Sequence, residues 1–200
     1  MPDLSRSPLR PQPDARFEFF RGFLKRPKQV GSIIPSSRFL ERRVTRTVRA
    51  ERAKLVVELG PGTGGTTRAL LRSMRLDATL VAIEINPHFV QVLDRWPDSR
   101  LIVRQGSAAD LGKILAELGF GAPDVVVSGI PFSTMERPIG REILRNVHDA
   151  LEPGGAFVAY QVRDRVHALG REVFGHARVQ TELLNVPPMR IYRWEKRASY

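Results

Sequence analysis

From residue 54 onward, short apolar runs alternate with longer segments in which apolar residues recur every three or four positions. The runs lie near residues 55–59, 79–84, 101–104, 123–129 and 155–161. This alternation predicts strands joined by crossover helices, and therefore a parallel sheet. Two further strand-like stretches, near 177–185 and 189–195, leave no room for a crossover between them and should form an antiparallel hairpin at the sheet edge. The pattern predicts an α/β fold with a seven-stranded, mostly parallel sheet.

The residues before this pattern have a different character. Residues 1–13 contain four prolines among Ser and Arg, which predicts a disordered tail. An amphipathic helix is expected to begin at Asp14 and to end before Pro27. Its apolar face holds Phe17, Phe20, Phe23 and Leu24, with Arg21 and Lys25 on the other side. A second, basic helix is expected over about residues 37–50, which divides the chain into residues 1–13, 14–53 and 54–200.

Composition narrows the class of protein. A hydrophobic content of 42% over 200 residues is sufficient for one buried core. No apolar stretch reaches the ~20 residues of a membrane-spanning helix, and no signal-peptide core is evident, so we expect a cytoplasmic location. Cysteine is absent, which excludes disulfides and thiolate chemistry. Residues 1–54 hold 14 Lys and Arg against 5 Asp and Glu, which predicts an anionic partner, either a membrane surface or nucleic acid.

A glycine-rich turn follows the first strand, in Glu58-Leu59-Gly60-Pro61-Gly62-Thr63-Gly64-Gly65. Glycine lets a ligand approach the backbone closely, and the helix that follows offers free N–H groups to an anion. Gly60, Gly62 and Gly65 also satisfy the dinucleotide-binding pattern, with the acidic Glu84 about 20 residues further on. The spacing alone therefore leaves two cofactors open, a dinucleotide and S-adenosylmethionine.

Charge favours S-adenosylmethionine. Glu58, two residues before the first glycine, would repel a pyrophosphate, whereas it suits an ammonium and a sulfonium. The helix N-terminus after Gly64 can bind the methionine carboxylate. Glu84, at the end of the second strand, can accept hydrogen bonds from both ribose hydroxyls. These residues predict a cofactor site at the ends of the first two strands.

The other cofactor contacts are expected directly after the second, third and fourth strands, at Ile85, Ser107, Ala108, Ser128 and Gly129. Ser107 lies where adenine is usually held in this fold. Asp110 either reaches the adenine amino group as well or caps the helix that begins at Leu111.

The segment ahead of the sheet carries the most specific motif, Phe23-Leu24-Lys25-Arg26-Pro27 followed by Val30-Gly31-Ser32-Ile33-Ile34-Pro35-Ser36-Ser37-Arg38. Together with the glycine turn and Ser128-Gly129-Ile130-Pro131-Phe132, it resembles the bacterial phospholipid N-methyltransferases. These belong to the Rossmann-like class I S-adenosylmethionine-dependent methyltransferases. The resemblance extends over about residues 17–194.

The resemblance implies N-methylation of phosphatidylethanolamine, successively toward phosphatidylcholine, by an enzyme bound peripherally to the inner face of the cell membrane. It implies that the helix containing Phe17 to Lys25 contacts an anionic bilayer. It also implies that residues 30–37 close over the cofactor, with Gly31 and Ser32 near its methionine end. From periodicity alone, the same helix can instead pack its Phe face onto the domain.

The sequence departs from a related motif after the fourth strand. RNA adenine dimethylases have Asn-x-Pro-Tyr there, and the Asn side chain and a backbone carbonyl accept bonds from the target amine. Gly129 replaces the Asn and removes one acceptor, while Phe132 keeps an aromatic face for a cation. We therefore expect the lipid substrate at Ile130, Pro131 and Phe132, with Arg190 on its phosphate. An RNA adenine methyltransferase is the rival interpretation, although we expect no separate RNA-binding domain.

The reacting amine has to be neutral, because an alkylammonium with a pKa of about 10 has no lone pair for the attack. Tyr160 and Tyr192, and then His148, are the candidate catalytic groups. They can orient or desolvate the amine, and alignment of the reacting atoms supplies much of the acceleration. None of the four His residues has metal-ligand spacing, so no metal is expected. An ornithine lipid as substrate and a non-catalytic binding module are alternatives that the sequence leaves open.

Overall fold

The computed structural model describes residues 36–198. Six α-helices and seven strands alternate along this part of the chain: α1 Arg38–Val48, β1 Leu55–Leu59, α2 Gly65–Ser73, β2 Thr79–Glu84, α3 Pro87–Leu93, β3 Leu101–Gln105, α4 Leu111–Glu117, β4 Val125–Ser128, α5 Arg137–Ala150, β5 Ala156–Gln161, α6 Arg165–Phe174, β6 Arg178–Glu182 and β7 Met189–Glu195. Two 3₁₀ turns, Ala108–Asp110 and Phe132–Thr134, precede α4 and α5.

The strands form one sheet in the order β3-β2-β1-β4-β5-β7-β6. The first five run parallel, and β7 is antiparallel to both β5 and β6. The α/β fold, the mostly parallel seven-stranded sheet and the terminal antiparallel hairpin are therefore confirmed. Because β1 to β5 are parallel, their carboxyl ends meet at one edge of the sheet, which is where an open α/β sheet binds its ligands.

Helices cover the sheet on both faces. The central strands β1, β2, β4 and β5 are buried along nearly their whole length and are mostly apolar, as expected of strands covered on both sides. One core lies under α4, α5 and α6, and contains Phe157 and Trp194. The other lies under α1 and α2, and contains Val56 and Ile191. β6 is different: four of its five residues are exposed, because it forms the outer edge.

Helix α1 is the basic helix expected near residues 37–50. Ser37 caps its start by accepting a hydrogen bond from the N–H of Leu40, at 3.2 Å. Leu40, Val44 and Val48 recur on one face and are buried against the sheet. The tail at 1–13, the helix predicted from Asp14 with its membrane-contacting residues, and the cofactor contacts Gly31 and Ser32 lie outside the described residues.

Candidate active site

The glycine turn between β1 and α2 has a backbone that side chains would strain. Gly60, Gly62 and Gly64 all have positive φ, of 69°, 56° and 83°. At Gly64 a Cβ atom would also lie 2.5 Å from the ring of Trp96. At Gly62 a Cβ would meet nothing within 4 Å, so the space beside the turn is open there. The turn is thus closed on the Trp96 side and open at Gly62, where a ligand can approach.

Glu84 fastens this turn to the neighbouring strand. Its carboxylate accepts hydrogen bonds from the backbone N–H of Gly62, at 3.0 Å, and from that of Asn86, at 2.9 Å. The side chain is buried, and burial raises its pKa, against the opposing effect of these backbone donors. Glu84 therefore lies at the turn, as the sequence requires of a residue that binds the cofactor ribose.

Glu58 is the most deeply buried carboxyl group of the site. One carboxylate oxygen accepts a 2.6 Å hydrogen bond from the Thr67 hydroxyl, and no residue from 36 to 198 donates to the other. Burial, with a smaller contribution from the nearby Glu84, raises the pKa of Glu58 to about 7, against the opposing effect of the Thr67 hydrogen bond. A buried carboxylate oxygen without a donor is a favourable neighbour for a cationic ligand.

These observations agree with S-adenosylmethionine. The free oxygen of Glu58 suits its ammonium, and the first N–H groups of α2, which no side chain caps, suit its carboxylate. Glu84 has further lone pairs for the ribose. A pyrophosphate would add negative charge beside two buried carboxyl groups, which makes a dinucleotide a poor fit.

The adenine end of the site is built after β2 and β3. Ser107 caps the 3₁₀ turn by accepting a hydrogen bond from the N–H of Ala109, at 3.2 Å, and Ala108 is buried beside it. Ile85 is half-buried after β2. Asp110 is exposed and makes no side-chain bond to the start of α4, so the capping role considered for it is not observed.

The loop after β4 is held from two sides. Ser128 is fully buried and accepts a hydrogen bond from the N–H of Ile130, at 3.2 Å. The side-chain amide of Gln161, at the end of β5, donates a 2.6 Å bond to the carbonyl oxygen of Ile130. Gly129 donates from its N–H to the carbonyl of Leu59, at 3.0 Å. The loop Gly129-Ile130-Pro131 is therefore fixed next to the glycine turn.

Two residues assigned to the substrate or to catalysis are placed elsewhere. Phe132 is fully buried in the core under α5, so its ring is not available to a substrate cation. His148 lies in the last turn of α5, edge-on to Phe174 with ring centroids 5.1 Å apart. The backbone N–H of Glu152, just after α5, donates to the carbonyl of Pro123, just before β4. That end of α5 therefore lies at the opposite edge of the sheet from the glycine turn. The structure does not bring His148 to the site.

The two tyrosines occupy opposite faces of the sheet. The Tyr160 hydroxyl is 3.1 Å from the Thr66 hydroxyl, at the start of α2. Burial and the nearby Glu58 raise its pKa, which keeps the phenol protonated. Tyr192 lies under α6 and stacks on His167, with ring centroids 5.2 Å apart. Burial raises the pKa of Tyr192, and the guanidinium of Arg190 opposes part of that rise.

Arg190 and Arg193 point to opposite faces, as expected for strand residues three apart. Arg190 is exposed near the carboxyl edge and lies on the same face as Tyr192. Arg193 donates a 2.8 Å bond to the carbonyl of Thr47 in α1 and pairs with Glu195 at 3.1 Å. Of the two, only Arg190 is in a position to meet a substrate at this edge.

Gln161 and Thr67 are members of the site that the sequence patterns did not reveal. Gln161 is a buried polar residue at the end of a largely apolar strand, and Thr67 is buried in the first turn of α2. A polar residue closing an apolar strand at the carboxyl edge is the signal that identifies Gln161. Within residues 36–198, no three or more His, Asp and Glu side chains are grouped so as to hold a metal ion. No helix in the same range has the length and apolarity to cross a bilayer.

Comparison with known proteins identifies relatives that match half or more of the chain. Residues 56–155 match a family described as "Methyltransferase domain". An ornithine lipid N-methyltransferase from Singulisphaera acidiphila is 31% identical over 179 residues, which is 88% of this chain and 93% of that protein. A ribosomal RNA small subunit methyltransferase A from Caulobacter vibrioides is 31% identical over 150 residues, 72% of this chain and 54% of that protein.

A solved structure has the same fold. The N-methyltransferase NodS from Bradyrhizobium japonicum WM9, in complex with S-adenosyl-L-homocysteine, superposes with a TM-score of 0.64 at 14% identity, over 89% of this chain and 98% of that one.

Proposed function

The chain belongs to the class I S-adenosylmethionine-dependent methyltransferases, and on that basis we propose that it N-methylates the amine of a membrane lipid. The observation that carries the proposal is the match to an ornithine lipid N-methyltransferase over nearly the whole of both chains. The ribosomal RNA methyltransferase matches over only about half of its own length.

The loop after β4 supports a tetrahedral alkylamine rather than a planar adenine amine. At Gly129 an added Cβ would lie 2.6 Å from the Tyr160 hydroxyl and 3.0 Å from the Gly60 carbonyl. The first distance is shorter than side-chain contacts allow and the second is at their lower limit, so an Asn could be placed there only if its neighbours moved. The side-chain acceptor that binds adenine in the Asn-x-Pro-Tyr motif is thus absent from the sequence and disfavoured by the space at residue 129.

Gln161 and Ile130 provide the remaining acceptors for the amine. The Ile130 carbonyl accepts from Gln161 and keeps a second lone pair for a substrate N–H. Because Gln161 is itself buried, it holds this carbonyl in one position. Two N–H bonds of a neutral primary amine can be directed to these oxygens, which leaves its lone pair free for the attack.

When bound, S-adenosylmethionine supplies a methyl group on a sulfonium that leaves as a neutral thioether. Glu58 and Glu84 would hold the cofactor, and the protonated phenol of Tyr160 supports the start of α2 through Thr66. Tyr160 does not act as a base, since its raised pKa keeps the proton on. The substrate ammonium loses its proton to water before it enters the buried site.

Two lipids satisfy these requirements. The sequence resemblance favours phosphatidylethanolamine and its mono- and dimethyl derivatives, and the Singulisphaera relative favours an ornithine lipid. Both present a primary alkylamine at the bilayer surface. For phosphatidylethanolamine, the exposed Arg190 would bind the phosphate. Either substrate places the enzyme peripherally on the membrane, at its cytoplasmic face.

The decisive assay is incubation of the full chain with radiolabelled S-adenosylmethionine and three acceptors in separate tubes. The acceptors are vesicles with phosphatidylethanolamine, vesicles with an ornithine lipid, and ribosomal RNA. We expect label in one of the two lipids, and chromatography of that lipid then counts the methyl groups. Glu84→Ala, which should bind the cofactor more weakly, should lose labelling at a low cofactor concentration, and Glu117→Ala, at an exposed carboxylate on α4, is its matched control. Label in RNA alone, or in no acceptor, would refute the proposal.

A further inference from the structure

We propose that the β6–β7 turn and the adjoining face of α1 form a docking surface for anionic phospholipid bilayers. The aliphatic side chains of the turn insert among the lipids, and arginines of α1 bind the lipid phosphates. The function of this surface rests on the proposed lipid substrate, whereas the residues that form it lie outside the methyl-transfer site.

The turn, here called the hairpin tip and comprising residues 183–188, exposes aliphatic side chains to an unusual degree. Leu183 is 72% exposed, Leu184 61% and Val186 89%. Single exposed apolar residues are ordinary on protein surfaces, whereas several on one short turn indicate a contact with another apolar phase.

The conformation of the hairpin tip is defined by side-chain hydrogen bonds of Asn185. Asn185, at its centre, is only 1% exposed and accepts a 2.9 Å hydrogen bond from the N–H of Ser37, at the start of α1. Its side-chain amide donates to the carbonyl of Pro187, also at 2.9 Å. These bonds direct Asn185 inward and hold the neighbouring Leu184 and Val186 outward. The exposure of the aliphatic residues is therefore imposed by the fold.

A groove of about 320 Å³ runs from the tip along α1 and β6, between Phe39, Leu184 and the arginines of α1. Arg43 lies in this groove and is neutralised by Glu182, at 2.6 Å. Arg42 and Arg46 are exposed, and neither guanidinium pairs with any side chain of the described part of the chain. Among the described residues, the groove therefore carries two arginines without a carboxylate partner, next to an apolar tip.

The spacing of these groups fits the layers of a bilayer. A helix rises about 1.5 Å per residue, so Arg42 and Arg46 lie about 5 and 10 Å farther along α1 than Phe39. A tip inserted at the acyl boundary would place both arginines within the headgroup layer, where a guanidinium can bind phosphate through two donors. The paired combination of an apolar tip and a cationic flank is what an anionic membrane surface requires.

The tip also lies on the correct side of the molecule. The tip joins β6 to the start of β7. In the sheet, Arg190 at the start of β7 lies opposite Gln161 at the carboxyl end of β5. Gln161 holds the loop after β4, so the tip and that loop lie at the same edge of the sheet. A bilayer docked on the tip would present its lipid amines at the edge where the methyl group is transferred.

The test is sedimentation of the full chain with vesicles of phosphatidylcholine alone and of phosphatidylcholine mixed with phosphatidylglycerol, without S-adenosylmethionine. Two double variants are compared, Leu184→Ser with Val186→Ser, and Arg42→Gln with Arg46→Gln. Leu76→Ser, at 91% exposure on the opposite edge of the sheet, controls for the first. Arg145→Gln, an exposed arginine of α5 on the opposite face, controls for the second.

We expect the tip variant to lose binding to both kinds of vesicle. The arginine variant should lose about fivefold per charge on the anionic vesicles only, and the controls should bind like the parent protein. Melting temperatures should be unchanged, because every substituted side chain is exposed. Parent-like binding by both double variants would overturn the proposal. A drop in melting temperature or dissociation of an oligomer, with vesicle binding retained, would also overturn it, because the tip would then be covered by protein.

This test and the methylation assay fail independently. Vesicle binding is measured without any methyl transfer, so loss of binding by the two variants supports the docking surface even if no lipid is methylated. Conversely, methylation of lipid by both variants at the parent rate, with parent-like binding, leaves the proposed function standing and removes the docking surface.

Discussion

The hydroxyl oxygen of Tyr160 lies 2.6 Å from the point that a Cβ atom at residue 129 would occupy. Tyr160 belongs to β5 and Gly129 follows β4, and the two strands are neighbours in the sheet. The backbone carbonyl of Gly60 approaches the same point to 3.0 Å. The phenol and the glycine turn together explain why residue 129 is glycine, with no side-chain acceptor for a planar amine.

Gly129→Ala should therefore destabilise the protein by about 1–3 kcal/mol, the usual effect of an added methyl group in a packed site. Tyr160→Phe removes the closest atom, so alanine at 129 should be less destabilising in that background. Urea unfolding of the four members of this double-mutant cycle measures the coupling. Additive effects would show that the hydroxyl does not limit the size of residue 129.

Glu84→Ala should weaken binding of S-adenosylhomocysteine about tenfold or more, because it removes a charged acceptor from the ribose and the bond that fastens Gly62. Isothermal titration calorimetry provides the dissociation constants, with Glu117→Ala as the control. An unchanged affinity would place the ribose elsewhere.

Glu58 should make the stability of the ligand-free protein depend on pH. Its pKa is raised from 4.5 to about 7 in the folded protein, so the folded state retains a proton that the unfolded state has lost between these values. Unfolding is therefore favoured as the pH rises through this window, by up to about 3 kcal/mol above pH 7.

The Glu58→Gln variant lacks this titration. Relative to the parent protein, its free energy of unfolding should increase from pH 4.5 to pH 8 by about the same 3 kcal/mol. Urea titrations of both proteins at several pH values give the difference directly. A difference that stays constant with pH would mean that Glu58 is ionised throughout.

Gln161→Leu should lower kcat for lipid methylation by up to about 100-fold, because the Ile130 carbonyl loses the donor that fixes it. Binding of S-adenosylhomocysteine should be unchanged, since Gln161 holds the acceptor loop and not the glycine turn. Gln161→Glu keeps an acceptor for the amine without a donor for Ile130. Equal losses of activity and of stability in Gln161→Leu and Gln161→Glu would contradict this role, because they would show that Gln161 only packs against the loop after β4.

The sequence alone determined the architecture and the glycine turn of the candidate cofactor site. Apolar runs predicted the positions of the strands, since a strand buried on both faces is mostly apolar, and β1 to β5 lie where those runs occur. The glycine turn was equally visible, because positive φ restricts a position to glycine through the local backbone alone. Glu58 and Glu84 follow from their distance to that turn along the chain.

Only the tertiary structure decided the part of the site proposed for the substrate amine. Its residues lie on different strands, which are brought together by the crossover connections. Gln161 reaches Ile130 across 31 positions of the chain, and no local pattern encodes that contact. The same cause explains the misplaced candidates: Phe132 follows the right strand but turns into the core, and His148 is carried to the opposite edge by the length of α5. Local periodicity reports which face of an element is buried, whereas the packing of whole elements sets which side chains converge.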